Sequence, residues 1–77
     1  MQIKVYLHGF LRDYLPIEAK GRTTVTLAKG ATVGQLLGHL GIRRRVVVAL
    51  EDDHEPNMAY VLQDGNEVSV YSITSGG

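Results

Sequence analysis

One stretch of this chain, Thr32 to Gly41, carries both ends of an amphipathic helix, and the segments on either side of it alternate like strands. Thr32 with Gln35 three residues on makes a capping box, in which side-chain oxygens satisfy backbone N–H groups that no earlier turn can reach. Val33, Leu36, Leu37 and Leu40 stand at i, i+3, i+4 and i+7, and Gly41 supplies the stop. A lone helix of about nine residues has one apolar stripe and no second helix to bury it against, so it must lie on a sheet. Gly34 and Gly38 inside it each cost about 1 kcal/mol relative to alanine, which predicts close approach to a neighbour at both positions rather than a membrane dimer motif.

The sheet is written around that helix. Gln2 to Leu7 alternates Ile3, Val5 and Leu7 with Gln2, Lys4 and Tyr6, and Thr23 to Leu27 repeats the pattern with Val25 and Leu27 inward. These two strands are expected to pair antiparallel. Between them, Phe10, Leu11, Tyr14 and Leu15 recur at helical spacing until Pro16, predicting a short helical turn. After the helix, Arg45 to Leu50 is uniformly apolar past its first residue and reads as a central strand covered on both faces. Glu51 to Pro56 is a charged turn. Asn57 to Leu62 is expected to be a short edge strand or an irregular segment, and Asp64-Gly65 a turn that sets the register of a last strand, Glu67 to Ile73. The order gives an α+β fold: a mixed four- to five-stranded sheet with one main helix on one face.

Seventy-seven residues make one domain, in which only about 60 % of the unfolded chain's surface can be buried. There is no cysteine, which excludes a thiol nucleophile, a thiolate zinc site and a disulfide framework, and fits a reducing compartment. Eight basic residues balance eight acidic ones, which disfavours nucleic acid or an anionic membrane as the main partner. Neither a signal-peptide core nor a run of about 20 apolar residues occurs, and a cytoplasmic location is expected.

His8, His39 and His54 are scattered with no metal-ligand spacing, so no metal site is expected and the three read as surface or structurally satisfied side chains. Arg43-Arg44-Arg45 follows the helix, where basic residues complement its C-terminal dipole; a docking patch for an acidic partner is the other reading. Tyr6, Ser69 and Tyr71 fall on the strand face opposite the helix, where exposed aromatics mark either a protein interface or an ordinary sheet face. No nucleophile, base and orienter come together, so no catalytic residue is expected. The sequence given closes on Ser72-Ile73-Thr74-Ser75-Gly76-Gly77, a thin, flexible segment suited either to entering a narrow site or to having no role. Residues 1–71 are therefore expected to form the domain and 72–77 a flexible tail.

With the order ββαββ, the turn Leu62-Gln63-Asp64-Gly65-Asn66-Glu67-Val68 and the final Gly76-Gly77, the chain resembles the ubiquitin-like sulfur carriers over essentially its whole length. These include the small subunit of molybdopterin synthase and the thiamine-pathway sulfur carrier, and their fold is the β-grasp. Leu11-Arg12-Asp13-Tyr14-Leu15-Pro16 resembles a stretch of the molybdopterin-type carriers, whereas no Pro-Pro precedes the tail. Asn66 and Glu51-Asp52-Asp53 depart from the family's usual turn residues.

The resemblance implies that the Gly77 carboxylate is adenylated by an ATP-using, E1-like activating enzyme, and that a persulfide from a sulfur donor enzyme converts it to a thiocarboxylate. Adenylation is needed because a carboxylate is a poor electrophile. Thr74, Ser75 and Gly76 would then be the residues such enzymes recognise. Six residues from Ser72, extended, reach about 20 Å, enough to enter the site of an acceptor synthase subunit. No cofactor would be bound by the chain itself. The implied pathway is molybdopterin biosynthesis, with thiamine biosynthesis as the other; a protein modifier joined to lysine through Gly77, or a plain interaction module, are the competing functions.

Overall fold

The computed structural model describes residues 1–52 and 54–73. Strand β1 (Gln2–Leu7) leads through two 3-10 helices, Gly9–Tyr14 and Ile17–Ala19, to β2 (Arg22–Thr26); helix α1 (Val33–Leu40) follows, then β3 (Val46–Leu50) and β4 (Glu67–Ser72). The sheet order is β2-β1-β4-β3. β2 pairs antiparallel with β1 (Ile3 opposite Val25), and β3 antiparallel with β4 (Val48 opposite Val70). β1 and β4, the two central strands, run parallel with Val5 opposite Val68. A parallel pair cannot be closed by a hairpin and needs a crossover, which α1 provides. This is the β-grasp arrangement.

The alternation in β1 does what it predicts: Ile3 and Val5 are fully enclosed and Leu7 nearly so, while Gln2 and Lys4 are exposed. Val68 and Val70 of β4 lie beside them, and Val33, Leu36 and Leu37 of α1 close the layer. Each such side chain removed from water contributes about 1.5–3 kcal/mol. Among the described residues, no helix is long and apolar enough to cross a membrane.

All four N–H groups at the start of α1 have partners. Thr32 N–H donates to Gln35 Oε1 at 2.8 Å and Gln35 N–H to Thr32 Oγ1 at 3.2 Å, which is the capping box. Val33 and Gly34 donate to the carbonyls of Tyr60 and Met58 at 3.0 and 2.9 Å. A Cβ on Gly34 would stand 3.3 Å from the Met58 carbonyl oxygen, so the close approach expected there is real. At Gly38 the expectation fails, because a Cβ there would meet nothing within 4 Å. The helix stops at Gly41 (φ 77°), with the Ile42 N–H donating to the Leu37 carbonyl at 3.0 Å.

Three further expectations are corrected or narrowed. β3 is an edge strand, not a central one: Val48 and Leu50 are buried under α1, but Val47 and Ala49 are half-exposed on the other face beside Tyr71 and Ser69. Apolar outer residues there reflect apolar cross-strand neighbours rather than a second covering layer. Asn57 to Leu62 is irregular, touching the sheet pattern only where Val61 bridges to Thr32, since its carbonyls are occupied in holding α1. In the first 3-10 helix only Leu11 is buried, while Phe10 and Tyr14 face solvent.

The Asp64-Gly65 turn ties β4 to β1. Gln2 N–H donates to Asp64 Oδ1 at 2.7 Å and the Gln2 carbonyl accepts from Gly65 N–H at 2.9 Å. From the end of β3, Glu51 accepts from Glu67 N–H at 2.8 Å and from Asn66 Nδ2 at 3.2 Å, bracing the same turn. The bond from the Glu67 backbone is the main reason the Glu51 carboxyl titrates below its ordinary value.

Candidate functional site

Because side chains alternate along a strand, the sheet has a second face, and no element of the described chain covers it. Tyr6 and Ser69 are opposite each other across β1 and β4, and Tyr71 stands two residues further along β4 on the same face. The structure thus brings the three expected interface residues together. Tyr6 Oη donates to Glu67 Oε1 at 3.3 Å, which fixes its ring along the sheet. Val47 and Ala49 of β3 extend the patch beyond Tyr71 and Ser69, and Arg22 of β2 flanks Tyr6. Lys4 and Glu67, opposite each other on the two central strands, put one charge of each sign on the same face below Tyr6.

His8 belongs to this face and was not expected there. Its ring stacks on Tyr71 with centroids 4.4 Å apart and planes 8° from parallel, and its backbone N–H donates to the Val70 carbonyl at 3.0 Å. Its Nε2 is buried with no partner among the described residues, so His8 is half-buried rather than a surface histidine, and no described residue satisfies that nitrogen. The signal was present in the alternation, which carries on from Tyr6 to His8. His8 and Tyr71 both lie toward the ends of the parallel strands β1 and β4. At that end Tyr71 is 42 % and Ile73 51 % exposed, and Gly9, which opens the 3-10 helix bearing the 58 % exposed Phe10, sits against Ser72. Apolar surface is therefore concentrated where β4 leaves the sheet.

β4 runs through Ser72, which pairs with Val46. Thr74, Ser75, Gly76 and Gly77, the residues expected to be recognised and charged, lie outside the described residues. His39 and His54 are exposed, His54 edge-on to Tyr60, and among the described residues no three metal-ligating side chains gather. What this geometry can do is dock a partner on a face where two tyrosines and a histidine stand among a few charges of both signs, next to the end of β4.

Known structures share the fold. SAMP1 from Haloferax volcanii superposes with a TM-score of 0.73 at 17 % identity, covering 100 % of both chains. A second structure of that organism's small archaeal modifier protein 1 gives 0.74 at 15 % identity, over 95 % of this chain and 98 % of that one. A chain from the complex of subunits 1 and 2 of the molybdopterin-converting factor of Helicobacter pylori 26695 gives 0.64 at 19 % identity, again over 100 % of both. No curated protein sequence matches. At such identities the likeness speaks for the fold, and the kinship comes from the sequence itself: the family model described as the ThiS family matches residues 10–77, nearly the whole chain, and the protein belongs to that family of ubiquitin-like sulfur carriers.

Proposed function

We propose that this protein is a sulfur carrier acting as a protein substrate in the cytoplasm, and that its charged group is the Gly77 carboxylate. Adenylation by an activating enzyme joins that carboxylate to the α-phosphate of ATP and releases pyrophosphate. A persulfide sulfur from a donor enzyme then displaces AMP, and a thiol reduces the acyl disulfide to leave a thiocarboxylate. The observation that carries this reading is a family match that runs through residue 77, in a chain whose central strand β4 leads directly into that segment. The face of Tyr6, Ser69 and Tyr71 would seat the activating enzyme or the acceptor subunit, with Thr74 to Gly76 threading its site.

Molybdopterin synthesis is the pathway we favour. Support comes from the Leu11 to Pro16 segment and from the shared fold of a molybdopterin-converting-factor subunit. The fold shared with small archaeal modifier protein 1 supports a second reading, conjugation of Gly77 to lysines.

Intact-mass analysis of untagged protein from its native host separates these. One oxygen replaced by sulfur at Gly77 is the expected result; isopeptide-linked Gly77 would favour the modifier. A plain carboxylate after incubation with the activating enzyme, ATP and sulfur donor would sink both. Gly77→Ala is expected to impair adenylate formation, read as pyrophosphate release, while leaving the unfolding curve unchanged.

A further inference from the structure

On the helix side of the molecule, away from the open face, an open groove of about 370 Å³ runs between α1 and the start of β3. Its floor includes Gly38, Ile42 and Met58, and its rim is Arg43, Arg44 and Arg45. We infer that this groove is a second docking site, for an acidic segment of a partner protein that anchors itself by apolar side chains.

Three observations carry this. First, the three arginines are exposed, and among the described residues none makes a hydrogen bond or an ion pair, so three of the chain's eight cations stand together uncompensated. Capping the helix end does not rest on them alone, since the Leu37 and Gly38 carbonyls already accept from Ile42 and Gly41 N–H groups. Second, the surface beside them is apolar: Met58 is 47 % exposed, and no acidic side chain among the described residues lines the groove. Third, Gly38 weakens α1 without any internal contact to justify it, and its missing side chain leaves the groove open to a close-packed visitor.

Charge complementarity selects an acidic occupant and the apolar floor selects a peptide over a nucleic acid, for which no aromatic side chain offers a stacking surface in the groove. The site is independent of tail chemistry. It does lie at the same end of the sheet, because Val46, next to Arg45, is paired with Ser72.

The test is an NMR titration of the isotopically labelled full chain with a capped ten-residue peptide alternating glutamate and leucine. Saturable shifts are expected at the amides of Gly38, Ile42, Arg43, Arg44, Arg45 and Met58. Replacing all three arginines, as Arg43→Glu, Arg44→Glu and Arg45→Glu together, should weaken half-saturation by about tenfold or more, with weakening by added salt as well. Gly38→Leu, which keeps every charge and fills the groove, should weaken it comparably.

Several results would overturn the inference: no shifts at about 1 mM peptide, shifts on the Tyr6–Tyr71 face instead, equal binding of a lysine–leucine peptide, or indifference to both variants. Tighter binding of a ten-nucleotide RNA would overturn it too. So would the same shifts appearing with protein concentration alone, which would assign the groove to a second copy's acidic loop after β3.

Discussion

The two ends of α1 are built on opposite terms. At its beginning every exposed N–H finds a partner inside the chain, and Gly34 is small because the Met58 carbonyl is there. At its end Gly38 is small with nothing beside it, and three arginines follow without a partner among the described residues. A helix that had to satisfy only its own fold would not weaken itself at Gly38. The difference separates residues chosen by the fold from residues the fold leaves unexplained, and only the second kind point outward.

The sharpest way to break the comparison is to make one substitution at both glycines. Gly34→Leu drives a side chain into the Met58 carbonyl and displaces its hydrogen bond, and should destabilise by about 2 kcal/mol, read from the urea midpoint. Thr32→Ala removes one half of the capping box and should cost about 1 kcal/mol in the same assay. Gly38→Leu should go the other way, raising stability by nearly 1 kcal/mol through helix propensity alone. Loss of stability at Gly38 would mean that the open space is closed in solution and would remove the contrast.

The smallest effect sharpens a related contrast between the two ends of β3, the arginines before it and the braced Glu51 after it. The folded-state pKa of Glu51 lies below the ordinary value of 4.5, so its contribution is fully present above that value and fades as pH falls through the folded pKa. Glu51→Gln should therefore lower the urea midpoint slightly at pH 7 and converge with the parent under acid. A gap that widened below pH 4.5 would contradict the brace.

What could be read from the sequence was whatever is local. The capping box, Gly41 and the alternation of β1 and β4 are set by residues a few positions apart, and all are found in place. Strand order is not local: a uniformly apolar run reports neighbours of low polarity, and Val47 owes its surroundings to Tyr71, which periodicity cannot locate. The role of Met58 and Tyr60 in holding α1 passes through backbone carbonyls, which every residue possesses, so it left no mark in the residue types. The His8–Tyr71 stack joins residues made neighbours only by the parallel pairing of β1 with β4.

That parallel pairing also dictates an order of assembly. Among the described residues, β1, the first strand in chain order, has β4, the last, as one of its two neighbours, and β3 pairs with β4 alone. A growing chain can form the β1–β2 ladder and α1 early, yet the layer they close on lacks its middle until residue 72 is available. Translation must therefore run nearly to the end of the residues described before the strand that completes the sheet is available. A chain cut short ahead of β4 would lack the middle of its sheet and would be cleared as an unfolded polypeptide.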